Sequence, residues 1–231
     1  SSGENQIATV IYDEANQLKK GRKLILDDIQ DILVSFNEGD ALTQKESKII
    51  EDLERANVPE AWNKHKFVTG DLNIWIDDFC SRINHINNAL NDKNLGRATM
   101  NLGLLKSPES LLAASKQMCA NINKWPVEKL KMKVIVGEKE LKAPSDLIVT
   151  NIMTVCAEWG DQKKSFVISD DVTGNLPPML ITWSLETDAN GILVSAFMTI
   201  SKKRPVFDCV MPVSDEKSKL WWTVRNPALV L

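Results

Sequence analysis

The hydrophobic period of this 231-residue sequence changes once, near residue 130, and that change constrains its fold more than any other feature. From Gln6 to about Lys129 apolar residues recur at three- and four-residue steps. After Lys131 the period moves towards two. Helices segregated ahead of strands define an α+β protein. The expected organisation is a helical subdomain over 1–130, with about four to six helices. A small antiparallel β-barrel or sandwich of six to seven strands follows over 131–231, the two together forming one domain.

In the first half, Leu18, Ile25, Ile29, Ile32, Leu33 and Phe36 are predicted to share one helical face, with Asp27, Asp28, Asp31 and Glu38 opposite. Gly39 ends this helix, and Thr43 with Glu46 forms a capping box for the next, which carries Ile49, Ile50 and Leu53 inward and stops at Pro59. Asp71 caps a third helix with an apolar stripe of Leu72, Trp75, Ile76, Phe79, Ile83, Ile86 and Leu90. Ser107-Pro108-Glu109 opens a fourth, with cap, proline and first-turn acid in order, and Asn91 to Arg97 is a loop.

The second half reads as strands at 134–136, 147–155, 165–168, 179–185, 192–200, 206–211 and 220–224. Asn190-Gly191 is the strongest hairpin signal, because a type I′ turn needs positive φ at both central residues. Trp221 and Trp222, adjacent on a predicted strand, would point to opposite sides, leaving one to face away from the core. Core packing is the expectation for Trp62, Trp75, Trp125, Trp159 and Trp183.

Composition narrows the function. A formal charge of −3 argues against binding nucleic acid or an anionic membrane. No apolar run reaches bilayer-spanning length, and the polar start at Ser1 predicts no secretory signal. The Ser1-Ser2-Gly3 start without Met reads as a piece of a longer polypeptide. Cys80, Cys119, Cys156 and Cys209 are widely spaced without a zinc pattern; they read as buried thiols, with two disulfides the alternative.

Catalytic chemistry is hard to find. There is no phosphate-binding GxxxxGK[ST] loop, and Lys19-Lys20-Gly21-Arg22-Lys23 reads as a solvated basic face. His65, in a predicted loop, and His85, on a predicted exposed helical face, lack an accompanying nucleophile motif. Of the paired acids, Asp78 is placed to bridge Arg82 at i+4. Asp170-Asp171 precedes a turn, where calcium is a minor alternative to backbone capping.

Several short motifs are more informative together. Pro59 and Trp62 form a proline, two-residue, tryptophan signature. Trp75, Asp78, Phe79, Arg82 and Ile83 spell W..DF..RI. Pro108-Glu109 opens, and Gln117 lies near the end of, the following helix. Trp125 and Leu130, then Ala157 and Trp159, then Leu176-Pro177 and Trp183, continue the series. In this order and spacing they resemble the C-terminal domain of dynein heavy chains, more the cytoplasmic than the axonemal type, over nearly the whole sequence. Asn151 and Cys156 stand where that family usually has glycine, Lys106 where it usually has an aromatic residue, and Lys116 where it usually has arginine, which marks a divergent member.

The resemblance implies a non-catalytic domain of a minus-end-directed microtubule motor, in the long form that keeps its strand-rich half. ATP and Mg would be bound elsewhere in the parent, on its AAA+ ring, with no cofactor or metal in this stretch. The domain would pack on one face of the ring and modulate processivity and force output. Its partners would be that ring and, through the parent, other dynein subunits and microtubules, with no nucleic acid or membrane partner. The location implied is cytoplasmic and cytoskeleton-associated. The alternative is a stand-alone β-barrel module for a peptide or sugar with a helical dimerisation element. A ring-docked domain should expose an apolar patch on its N-terminal helix.

Overall fold

The computed structural model describes residues 5–65, 70–92, 99–167, 169, 173–186, 190–198, 204–214 and 219–231. Four α-helices precede the first strand: α1 (Gln6–Glu38), α2 (Gln44–Glu54), α3 (Leu72–Asn91) and α4 (Pro108–Asn123). Short 3₁₀ helices lie at Glu60–His65, Leu102–Leu104 and Val127–Lys129. The helix signals act as expected at most ends. Gly39 takes φ +73° after α1. The Thr43 hydroxyl accepts from the Glu46 N–H at 3.2 Å, and the Glu46 carboxylate accepts from the Thr43 N–H at 2.6 Å. Asp71 Oδ1 accepts from the Ile74 N–H at 3.0 Å. Helix α2 stops at Glu54, earlier than Pro59 requires, because Ala56 turns the backbone in the left-handed region at φ +55°. At α4 the Ser107 side chain does not cap; Pro108, preset for the first helical position, starts the helix.

Ten strands follow: β1 (Lys131–Val136), β2 (Leu147–Val149), β3 (Met153–Val155), β4 (Glu158–Gly160), β5 (Ser165–Val167), β6 (Thr173–Asn175), β7 (Met179–Ser184), β8 (Ile192–Phe197), β9 (Phe207–Met211) and, after helix α5 (Lys219–Arg225), β10 (Ala228–Val230). Among the described residues they form three sheets, ordered β1-β7-β2, β6-β3-β10-β8-β9 and β4-β5, which do not close into a barrel. Among the described residues every strand-to-strand ladder is antiparallel except β8 with β10, and the isolated bridges Met100–Val149 and Phe166–Val213 are parallel. The fold is α+β.

Three sequence expectations change here. The stretch 147–155 is two strands in different sheets, because Asn151 adopts φ +57° between them. Asn190-Gly191 does not turn between paired strands, since β7 and β8 lie in different sheets. Gly191 is required for another reason: a Cβ there would lie 2.4 Å from the Met211 carbonyl oxygen on the paired strand β9. Finally, 220–224 is helical; a short apolar run without clear alternation does not distinguish helix from strand.

The protein packs as two compact units, one of residues 12–88 and one of 1–11 with 89–231. The sequence period changes at 131, but α4 belongs with the strands. The Trp183 indole N–H donates to Ser115 Oγ on α4 at 2.7 Å, and Ser115 donates on to the Ser145 carbonyl at 2.6 Å. Cys119, Ala120 and Leu130 complete this contact with Trp183 and Val127.

Candidate functional site

The candidate catalytic groups have structural placements. His65 is not a surface loop residue: it ends a 3₁₀ helix, and its ring lies over Gly21, where a Cβ would stand 2.6 Å from Nδ1. His85 is half-buried rather than exposed, and burial pushes its pKa below the ordinary 6.5. All four cysteines are free; Cys119 and Cys209 are buried, Cys156 is half-buried and Cys80 is exposed. Burial pushes the Cys209 thiol up to about 12, the opposite of what a reactive thiolate needs. Lys19, Lys20, Arg22 and Lys23 are exposed, as a solvated basic face requires. Among the described residues no three His, Cys, Asp or Glu side chains could hold a metal ion, and no helix is long and apolar enough to cross a membrane. Asp170-Asp171 lies outside the described residues.

The motif residues of the helical unit converge on one interior. Asp28, expected on the polar face of α1, is instead buried. Its carboxylate accepts from the Trp62 indole N–H at 2.9 Å and from Lys45 Nζ at 2.5 Å, so burying the charge is compensated on both oxygens. Trp62 is positioned by Pro59, whose carbonyl accepts from the Trp62 N–H at 2.9 Å. Trp62 stacks on Trp75 with ring centroids 5.8 Å apart, and Trp75 stacks on Phe79 at 5.5 Å. The Trp75 indole N–H donates to the His65 carbonyl at 3.0 Å. One helical turn beyond Asp78, Arg82 is buried and pairs with it at 2.7 Å, as the spacing predicts.

The remaining motif residues belong to the strand-rich unit. Pro108 is buried at the start of α4, with Glu109 exposed beside it, and Gln117 donates to Asn121 at 2.9 Å. Trp183, half-buried, is held by Ser115 and lies under the Lys116 ammonium, 5.6 Å from the ring centroid. Trp159 on β4 meets Phe166 on β5 edge to face at 6.3 Å, and Phe166 meets Trp222 on α5 at 6.5 Å. Pro177 is half-buried beside the buried Leu176. Trp125 is 36% exposed, not core. The adjacent tryptophans do differ in burial, though on a helix: Trp222 is buried, while Trp221 is half-buried under the Arg225 guanidinium.

The surface feature that sequence reasoning misplaces is on α1. Leu26, Ile29, Leu33 and Phe36 follow one another at three- and four-residue steps, with exposures of 50%, 38%, 50% and 62%. The sequence pattern puts Ile29, Leu33 and Phe36 inward. The inward face is instead the neighbouring stripe of Leu18, Gly21, Asp28 and Ile32. Only the width of the apolar pattern, greater than one neighbour covers, hints at a second face. Water contact with an exposed apolar stripe of this length is unfavourable.

The family model for the C-terminal domain of the dynein heavy chain matches residues 2–231. The protein belongs to this family. Similar proteins include the cytoplasmic dynein heavy chain of Paramecium tetraurelia, 26% identical over 136 residues, covering 59% of this sequence and 3% of the relative. The cytoplasmic dynein heavy chain of Dictyostelium discoideum is 19% identical over 215 residues, covering 90% and 4%. The dynein heavy chain-like protein 1 of Plasmodium falciparum is 28% identical over 116 residues, covering 47% and 2%. The 231 residues therefore span a few per cent of the length of the heavy chains they match. Two residues of this dynein C-terminal domain hold a backbone conformation that favours glycine. Asn151 and Cys156 both sit in the left-handed region, at φ +57° and +61°, where glycine is favoured.

Proposed function

We propose that this protein is a non-catalytic regulatory domain of a dynein heavy chain. It packs on one face of the parent's AAA+ ring through the exposed α1 stripe and modulates processivity and force output. The observation that carries this reading is the stripe of Leu26, Ile29, Leu33 and Phe36, the apolar N-terminal patch expected of a ring-docked domain. A domain contacting several moving modules biases the ring by its different contacts in different states. On this reading the domain binds no cofactor, and ATP and Mg act elsewhere in the parent. Microtubules and other dynein subunits are reached through the parent, at a cytoplasmic, cytoskeleton-associated location.

The test is single-molecule motility of the parent motor carrying Leu33→Glu and Phe36→Glu. Run length or stall force should change while microtubule-stimulated ATPase persists, and the isolated domain should neither turn over ATP nor bind microtubules. Unchanged run length and stall force, or ATP turnover by the isolated domain, would refute the proposal.

A further inference from the structure

We propose that the C-terminal end of α4 and the turn leading into β1 dock an acidic protein segment carrying apolar side chains, independently of any docking through α1. The run 116–133 holds five lysines against one acid, Glu128, within a sequence whose formal charge is −3. The remaining residues are therefore more acidic than the whole. An acidic partner is drawn to this run and repelled by the rest.

The surface grows out of the contact between α4 and β7. Ser115 and Cys119 are buried on the inward face of α4. Ser115 Oγ accepts from the Trp183 indole N–H, and Cys119 Sγ lies 3.8 Å from the Trp183 carbonyl oxygen. Ile122 continues this face at the next three-residue step, where burial ends, and is 51% exposed. The helix then stops at Lys124, left-handed at φ +56°. The Trp125 N–H donates back to the Ala120 carbonyl at 3.0 Å, which holds the exposed Trp125 at the end of the helix. The 3₁₀ helix Val127–Lys129 leads to Leu130, buried with Cys119 and Ala120, and leaves Lys129 exposed beside it. Leu185, two positions beyond Trp183, is 46% exposed. Three exposed apolar side chains thus surround one buried contact.

Cations rim them. Lys116 holds its ammonium over Trp183, and Lys124 and Lys129 are exposed and form no ion pair among the described residues. An apolar centre containing tryptophan, inside a charged rim, is the composition of a protein interface. The acids nearby, Glu128 and Glu186, are fewer than the lysines. A nucleic acid or an anionic membrane would need many more cations than an acidic protein offers here. Apolar side chains on a peptide complement Ile122, Trp125 and Leu185, and its carboxylates complement the lysines.

The test is fluorescence anisotropy of a labelled acetyl-Glu-Leu-Glu-Glu-Phe-Glu-amide peptide titrated with the 231-residue protein. Saturable binding is expected, weakening about fivefold or more between about 50 and 300 mM salt. Lys124→Glu with Lys129→Glu should weaken it about tenfold or more. Trp125→Ala, at an exposed position, should weaken it about fivefold or more, as should serine in place of the peptide's leucine and phenylalanine. Lys19→Glu with Lys20→Glu makes the same charge change on α1 and should leave the affinity within about twofold. No saturable binding overturns the proposal. So does equal weakening by the two charge reversals, which would make the attraction one of net charge, or unchanged affinity in Trp125→Ala. Binding to phosphatidylserine vesicles without binding to the peptide also overturns it, by assigning the surface to a membrane.

Discussion

The two aromatic clusters of this domain are built differently. Trp62, Trp75 and Phe79 lie within eighteen positions of one another, stack nearly parallel, and have both indole N–H groups bonded, one to Asp28 and one to the His65 carbonyl. Trp159, Phe166 and Trp222 are drawn from two strands and a later helix, and the Trp222 N–H has no hydrogen-bond partner among the described residues. The first cluster is specified by directional bonds as well as volume, the second by volume alone. Directional bonds make a cluster intolerant of changes that preserve shape, whereas one held by packing responds mainly to lost volume.

The largest effect should come from Trp75→Ala, which removes the middle of the stack and should destabilise the protein by about 3–5 kcal/mol in urea unfolding. Phe166→Ala should be as severe, since both create large cavities; a mild loss at either would break the symmetry of the comparison. Trp62→Phe then separates the clusters. It strips one partner from a buried carboxylate, and should cost about 1–3 kcal/mol more than Trp222→Phe, where no hydrogen bond is lost. Equal costs would show that the Asp28 bond contributes nothing net.

Gly21→Ala sharpens the same contrast. Alanine at a free helical position would stabilise by up to about 1 kcal/mol, but here its Cβ meets the His65 ring, so a loss of about 1–3 kcal/mol is expected by thermal or urea unfolding. In the strand-rich unit Asn151→Gly should act oppositely, gaining about 0.5 kcal/mol by relieving a left-handed residue that is exposed and easily replaced. The smallest effect is titration of His85. Its folded pKa is lowered, so the unfolded state binds a proton more readily. The stability contributed by the neutral ring is present above pH 6.5 and lost as the pH falls through the folded pKa. The urea midpoint should therefore fall on acidification more in the wild type than in His85→Gln.

What was legible divides along the same line. The capping box at Thr43 and Glu46, the stop at Gly39, the Asp71 cap and the Asp78–Arg82 pair were readable because each depends on residues three or four apart. Of the motif tryptophans, Trp62, Trp75 and Trp159 were readable as core, while Trp183 is half-buried against it and Trp125 is exposed. Two things were not: the buried side of α1, and the sheet order. Asp28 looked like a surface residue because its partners, Trp62 and Lys45, lie 34 and 17 positions away. The three-residue strands β4, β6 and β10 are too short to carry a period, and β10 lies parallel to β8 only because α5 returns the backbone there.

The sequence by itself determined the class of fold, most of the helix ends in the first half and the family, because these rest on local periodicity, caps and motifs in order. Only the tertiary structure decided which stripe of α1 faces solvent and how the strands are ordered in their sheets. Both depend on what a distant segment covers. A helix with more apolar surface than one neighbour can bury, and strands too short to carry their own period, leave that choice to packing.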